Sequence, residues 1–343
     1  MSFAGILDKL ESRTLEKLER KLPSWAGRGI TVPASINLEQ CSSEEAARYK
    51  SSLLPSGARV ADLTGGLGAD SWAFSLQASA VWYNERDAAL LEAVRHNFTA
   101  LGASGVSFNG FDIAPDAYDW QSALREFRPD VIYLDPARRD AAGHKVFLLE
   151  DCSPDVLQLM PVLLDIAPRV MVKVSPMADI TMLRRRLDGV LAELHVVGVE
   201  GECKELLCIC CRDAEFRGPE LAEDGNVYDG TAPCDGGLLF VPSAAMVKSG
   251  LGPGLRLMAY DASLAPFGKF YEVIEDLPFA SSELKRLGKR WPQAEVTARG
   301  VPVSSEELRA KIKTKPGGSV HIFALAFNGN RRLLVCKKVL FPE

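Results

Sequence analysis

Three closely spaced glycines follow a short apolar run near residue 60 and constrain this chain more than any other feature. The stretch reads Val60-Ala61-Asp62-Leu63-Thr64-Gly65-Gly66-Leu67-Gly68-Ala69-Asp70. Because glycine has no Cβ, the backbone can turn sharply here and approach a ligand closely. Residues 59–63 predict a strand, and residues 71–76 predict the start of a helix. The turn is therefore expected at the carboxyl edge of an open α/β sheet, where ligands bind.

The spacing of the glycines and the acids around them restrict the class of ligand that could bind at this turn. Gly65-Gly66-x-Gly68 departs from the G-x-G-x-x-G register of dinucleotide-binding turns. A carboxylate at Asp62 would repel a pyrophosphate but attract an ammonium group. We therefore expect S-adenosylmethionine (SAM) rather than a nicotinamide dinucleotide. The candidates from this stretch are Asp62, Thr64, Gly65, Gly66, Gly68 and Asp70.

Two further acids follow the next two predicted strands. Glu85 ends the apolar run 80–84, where its carboxylate can accept both ribose hydroxyls, and charge-assisted bonds of this kind contribute about 1.5–3 kcal/mol. Asp112 follows the predicted strand 106–108 and is placed for an adenine amino group. The order of these acids along the chain supports a nucleoside site.

A proline-containing loop follows the fourth predicted strand, 130–134. It reads Asp135-Pro136-Ala137-Arg138-Arg139 and resembles the [Asp/Asn]-Pro-Pro-x loop of class I methyltransferases that act on nucleic-acid bases. Proline fixes φ and stiffens the loop, so that the Asp135 carboxylate or a neighbouring carbonyl can orient the target nitrogen. Arg138 stands where such loops often carry an aromatic residue, and it could stack on a base or contact phosphate.

Lysine and cysteine positions complete the catalytic candidates. Lys173 ends the fifth predicted strand, where it could be catalytic, bind phosphate or only extend its head group to solvent. Methylation of a base at carbon requires a cysteine nucleophile, and neither the Asp135 loop nor residues 175–177 contain one, which favours a nitrogen or oxygen acceptor. The eight cysteines and four histidines show no metal-ligand spacing, so we expect no metal. The catalytic candidates are Asp135, Pro136, Arg138 and Lys173.

Charge is distributed unevenly along the chain. The net charge of the 343 residues is −5, yet residues 276–343 contain thirteen Lys and Arg against six Asp and Glu. Such a basic segment is typical of a phosphate-binding surface, and the alternative is an ordinary solvated one. The RNA-binding candidates are Arg138, Arg139, Lys285, Arg286, Arg299, Lys311, Lys313 and Lys315.

Other local patterns predict the organisation of the chain. The first residues are amphipathic rather than signal-like, and no run reaches membrane-spanning length, so we expect a cytoplasmic protein with no membrane contact. Ser42-x-x-Glu45 predicts the cap of a helix running to residue 54, and Ser304-x-x-Glu307 predicts another capping box. Residues 319–327 and 331–339 predict a hairpin.

These motifs together resemble the THUMP-like-domain family of class I SAM-dependent methyltransferases. The matching segments are Glu39-Gln40-Cys41-Ser42-Ser43-Glu44, Asp62 to Gly68, Asp135 to Arg139, Leu149-Glu150-Asp151-Cys152, Lys173-Val174-Ser175-Pro176-Met177 and Glu202-Cys203-Lys204-Glu205. The resemblance implies a Rossmann-like α/β sheet of seven strands, the last antiparallel, with an N-terminal helical segment and small C-terminal α+β modules. The implied segments are 1–55 (helical), 56–214 (methyltransferase), 225–268 (ferredoxin-like) and 269–343 (THUMP-like).

The leading hypothesis is a SAM-dependent methyltransferase that modifies a base nitrogen in structured RNA. The resemblance implies that the THUMP-like module binds that RNA, either transfer or ribosomal. One alternative keeps the cofactor but assigns a small-molecule or protein acceptor, and another is an RNA-binding protein with a vestigial SAM pocket. The sequence gives no indication of the oligomeric state.

Overall fold

The computed structural model describes residues 13–137, 149–216, 238–251, 255–327 and 330–339. The chain forms two compact units. The first comprises Met1–Val199 with Lys204–Gly218, and the second comprises Glu200–Cys203 with Pro219–Glu343. The four segment boundaries predicted from the sequence remain a prediction.

The first unit is built on a seven-stranded sheet of order β3-β2-β1-β4-β5-β7-β6. Strands β1 to β5 pair in parallel, and β7 runs antiparallel to β5. This confirms the predicted α/β sheet. The strands are β1 (Arg59–Asp62), β2 (Ala80–Asn84), β3 (Val106–Asn109), β4 (Val131–Leu134), β5 (Arg169–Val174), β6 (Leu191–Val199) and β7 (Glu202–Cys211).

Helices follow the strands of this sheet. All four residues of β4 are buried, as expected for a central parallel strand covered on both faces. Two of the helices, 88–101 and 156–166, each begin directly after a capping aspartate, Asp87 and Asp155. The helices are α1 (13–21), α2 (Ser35–Gln40), α3 (Glu44–Ser52), α4 (Ala69–Ser75), α5 (Ala88–Leu101), α6 (Tyr118–Phe127), α7 (Val156–Ile166) and α8 (Ile180–Arg186).

The predicted cap of α3 is wrong by one residue. Ser43, not Ser42, is the N-cap, and its hydroxyl accepts a hydrogen bond from the Ala46 amide. The helix also ends at Ser52 rather than at residue 54. The hydroxyl of Ser42 instead donates to the buried Asp70 carboxylate over 2.9 Å.

The second unit contains a six-stranded sheet of order β11-β12-β13-β10-β8-β9. The predicted capping box at Ser304 and Glu307 and the predicted antiparallel hairpin of β12 and β13 are both confirmed. Strands β8 and β9, which lie in the predicted ferredoxin-like segment, join the same sheet through β10. The elements are β8 (Leu238–Pro242), α9 (Ala244–Ser249), β9 (Arg256–Met258), β10 (Gly268–Pro278), α10 (Ser281–Arg290), β11 (Glu295–Arg299), α11 (Ser305–Ile312), β12 (His321–Phe327) and β13 (Asn330–Lys338).

Within the described ranges, every helix is too short or too polar to cross a bilayer.

Candidate active site

The glycine turn between β1 and α4 is fixed by the side chain of Tyr83 on β2. A Cβ added to Gly65 would lie 2.0 Å from Cε2 of Tyr83, so the aromatic ring occupies the space that any side chain would need. The Tyr83 hydroxyl donates to the Gly66 carbonyl over 2.6 Å. Gly68 then caps α4 with a φ of 87°, a left-handed conformation that favours glycine. The turn therefore depends on the absence of side chains at defined positions.

Glu85 is oriented by two backbone amides at the end of β2. One carboxylate oxygen accepts from the Gly66 amide over 3.0 Å, and the other accepts from the Asp87 amide over 2.9 Å. Since a carboxylate oxygen can accept more than one hydrogen bond, Glu85 keeps capacity for two hydroxyl donors.

The Asn84 side chain fixes the neighbouring backbone of the site by hydrogen bonds. Its amide oxygen accepts from the Phe111 amide over 2.8 Å, and its amide nitrogen donates to the Leu63 and Phe111 carbonyls. These bonds align the segment that carries Asp112. The Asp112 side chain is exposed and lies 3.4 Å from the Arg86 guanidinium.

A cavity of about 760 Å³ brings most of the predicted site residues together. The glycine turn forms one part of its wall, and the Asp135 loop and residues 175–177 form another. Residues 40–42 of the N-terminal segment also contribute. The predicted residues in the lining are Thr64, Gly65, Gly66, Asp70, Glu85, Asp112, Asp135 and Pro136.

The remaining predicted residues have other positions. Asp62, Gly68 and Lys173 lie outside the lining, and Arg138 and Arg139 lie outside the described residues. The Asp62 carboxylate is buried behind the turn, where it accepts from the Ser71 hydroxyl over 2.6 Å and from the Thr64 amide over 3.1 Å. Burial raises the pKa of Asp62 to about 7. Asp62 therefore ties the turn to α4.

Asp135 is held by one backbone bond and one ion pair. Its amide donates to the Thr64 hydroxyl over 2.6 Å, which joins the Asp135 loop directly to the glycine turn. Its carboxylate accepts from the Lys173 ammonium over 2.5 Å. Burial alone would lower the pKa of Lys173, but the charges of Asp135, Asp70 and Glu205 raise it above its ordinary value.

Sequence reasoning missed a group of buried polar residues behind the cavity. Lys50 on α3 is fully buried, 2.6 Å from Glu205 and 3.0 Å from Asp70. Ser42 and Tyr133 each donate to Asp70. One sequence feature could have indicated them: Lys173 and Glu205 are charged residues inside or beside the apolar runs of β5 and β7, where a charge is expected to be buried and paired. The sequence could not indicate that Lys50 joins them.

The basic candidates of the second unit fall into two groups. Arg286 lies 3.0 Å from Glu283, and Arg299 is only partly exposed. The other four are exposed, and none of them forms an ion pair with a described residue. They are Lys285, Lys311, Lys313 and Lys315.

Over the part of the chain that the structure covers, no three His, Cys, Asp or Glu side chains come together in a way that could hold a metal ion.

The sheet order of the first unit, with β7 antiparallel at the side of β5 and the glycine turn after β1, defines a class I methyltransferase fold. Residues 268–338 match the model of the THUMP domain-like family. A protein from Porphyromonas gingivalis W83, described as a candidate methyltransferase, is 31% identical, with 96% of this chain and 89% of that chain aligned at a TM-score of 0.80. The chain belongs to the THUMP-like-domain family of class I methyltransferases.

Other solved structures are less similar. One is a candidate methyltransferase from Streptococcus mutans in complex with S-adenosylhomocysteine, with 13% identity over 49% of this chain and 96% of that chain and a TM-score of 0.34. Another is a candidate RNA methyltransferase from Pyrococcus horikoshii, with 18% identity over 54% of this chain and 92% of that chain and a TM-score of 0.37. No curated protein matches the sequence.

The contact between Gly65 and Tyr83 makes a testable prediction. We expect Gly65→Ala to lower the free energy of unfolding by about 2 kcal/mol or more, since a buried ring must move. Gly57→Ala is the control. Gly57, unlike Gly65, has a positive φ, of 65°, and it has open space around its Cα, so only a conformational cost of about 1–2 kcal/mol applies. Urea denaturation measures both losses of stability, and equal losses in the two variants would contradict the contact.

Burial of Asp62 predicts a pH dependence of stability. Since its folded pKa of about 7 lies above the ordinary value of 3.8, the folded state binds a proton that the unfolded state has released between these pH values. The stability that this bound proton contributes is fully present below pH 3.8 and is lost as the pH rises through 7. The unfolding free energy of Asp62→Asn relative to wild type should therefore increase from pH 5 to pH 8, by about 1–3 kcal/mol. A difference that stays constant over this range in urea titrations would disprove this assignment.

Proposed function

We propose that this protein is a SAM-dependent methyltransferase that methylates a nitrogen of a base in structured RNA. The observation that carries the proposal is the common cavity, which is lined by the glycine turn, Glu85 and the Asp135-Pro136 loop. Membership of a methyltransferase family supports the class of reaction.

The chemistry of the cavity residues fits SAM. Glu85 would accept the ribose hydroxyls, and Phe111 and Asp112 would border the adenine. The lining carries the carboxylates of Asp70, Glu85, Asp112 and Asp135, which favour a ligand with positive charge and disfavour a pyrophosphate. When bound, SAM supplies an electrophilic methyl group on a positively charged sulfur.

Asp135 is the proposed residue that orients the acceptor. Paired with the Lys173 ammonium, it is a carboxylate, which accepts hydrogen bonds and donates none. An acceptor nitrogen that bears a hydrogen, such as an exocyclic amino group, therefore suits this position. Pro136 restricts the loop, and the bond from the Asp135 amide to Thr64 keeps the carboxylate close to the cofactor turn. Positioning of this kind accounts for a large part of many enzymatic rate enhancements.

The second unit is proposed to bind the RNA. Its THUMP domain-like match and the exposed lysines near α10 and α11 support this role. Arg138 and Arg139, next to the proposed acceptor position in sequence, would contact the same nucleic acid. RNA binding dominated by phosphate contacts is weakened by salt in proportion to the number of contacts.

Nucleoside mass spectrometry tests the reaction. Total RNA from cells without the gene should lack one methylated base, and the purified protein with SAM should restore it. Asp135→Asn should lower the rate of restoration by about 10²-fold, because misplacing an acceptor group has an effect of this size. The exposed Asp116→Asn is the control and should act like wild type. An unchanged profile of methylated nucleosides would indicate that the methyl acceptor is a small molecule or a protein rather than RNA.

Salt titration tests the RNA surface. The double variant Lys313→Gln with Lys315→Gln should reduce the slope of log affinity against log salt by about 1.4–1.8, which corresponds to two phosphate contacts. The matched control is Lys337→Gln with Lys338→Gln, which removes the same charge from exposed positions on β13. Equal slopes for the two double variants would show that charge alone, rather than this surface, determines binding.

A further inference from the structure

Five charged side chains of alternating sign, four of them buried, form a series that begins and ends at the cavity lining. Asp135 contacts Lys173, Lys173 lies 3.9 Å from Glu205, and Glu205 contacts Lys50 over 2.6 Å. Lys50 contacts Asp70 over 3.0 Å, which closes the series. This series of charges thus connects the Asp135 loop to α4, which begins immediately after the glycine turn.

The two residues at the ends of this series of charges differ from the three middle residues in their access to the cavity. Asp135 and Asp70 are part of the lining, whereas Lys173, Glu205 and Lys50 are not. The side chains of the middle three are at most 6% exposed. Charges buried to this extent are costly unless each is paired, and removal of one leaves its neighbours without compensation.

Glu205 is the central member, and its two oxygens face different lysines. Oε1 accepts from Lys50, while Oε2 faces Lys173. On the other side, Lys173 donates to Oδ2 of Asp135. Glu205 therefore determines where the Lys173 ammonium lies, and that ammonium in turn determines the direction of the Asp135 carboxylate.

We propose that Glu205 is a positioning residue for methyl transfer, which acts on Asp135 through Lys173 and is itself held by Lys50. The role of Asp135 in this inference rests on the proposed function. Glu205 has no place in the cavity lining, so cofactor affinity is expected to be insensitive to it, while the rate of transfer is not.

The same arrangement predicts an energetic coupling between Glu205 and Lys173. The groups that act on Lys173 or respond to its charge are Asp135, Asp70, Glu205, Cys41 and Lys21, with Lys50 across Glu205. Loss of the Glu205 charge lowers the pKa of Lys173, because one of three neighbouring carboxylates is gone. A lysine with a raised folded pKa contributes stability that is fully present below its ordinary pKa of 10.5, so the loss of part of this stability is measured as a coupling energy near neutral pH.

The first experiment needs no acceptor. Melting temperatures of the full chain are measured near neutral pH for wild type, Glu205→Gln, Lys173→Met and the double variant. We expect Glu205→Gln to lower the melting temperature by about 3 °C or more in the wild-type background, and by less than half as much in the Lys173→Met background. Ser51→Ala, which removes a buried hydrogen bond between α3 and α4, should lower the melting temperature equally in both backgrounds.

The second experiment measures transfer to total RNA from cells that lack the gene. Glu205→Gln should slow a single turnover at least tenfold, with the dissociation constant of SAM within threefold of wild type. If Glu205→Gln does not fold, Glu205→Asp keeps the charge on a shorter side chain and should show the slower turnover with the SAM affinity of wild type.

The two experiments separate the possible failures. An equal loss of melting temperature from Glu205→Gln with and without Lys173, or a wild-type rate of single turnover in Glu205→Gln, would overturn the positioning role. A wild-type protein that transfers no methyl group to RNA would instead refute the proposed function, and the melting data would still decide whether Glu205 acts through Lys173.

Discussion

The packing of the Tyr83 ring against Gly65 is the contact on which the rest of the site depends. The ring occupies the place of a side chain, and its hydroxyl holds the next peptide by a bond to the Gly66 carbonyl. The turn can then present the Gly66 amide to Glu85, while Thr64 receives the amide of Asp135. The glycine turn thus sets the positions of Glu85 and of the Asp135 loop.

Much of this arrangement is predictable from sequence because it is local. Helix α5 begins after a capping Asp87 and ends before Gly102, both of which are visible in the sequence. The capping box of Ser304 is equally local. Parallel strands end at a common edge, so the gathering of Glu85 and Asp135 around one cavity also follows from their order along the chain.

Features that depend on contacts distant in sequence were not predictable. Ser42 and Ser43 are equally suitable caps by residue type, and the choice is decided by Asp70, 28 residues away, which takes the Ser42 hydroxyl. Lys50 looks like an ordinary helix lysine, yet it is buried against Glu205, 155 residues later. Asp62 reads as an acid facing a ligand, whereas the structure turns it toward Ser71. In each case a tertiary partner outweighs the local pattern.

The burial of Lys50 has a consequence for any attempt to define a minimal enzyme. A fragment cut where the sheet begins, at Arg59, would keep every residue of the glycine turn and of the Asp135 loop. It would also remove the ammonium group that contacts both Asp70 and Glu205, which would leave Lys173 as the neighbouring cation for three carboxylates in a largely buried setting. It would lack the residues around Cys41 that border the cavity as well. The helices that precede Arg59 are therefore an integral part of the catalytic module. Cutting the chain where the sheet begins would yield an incomplete module.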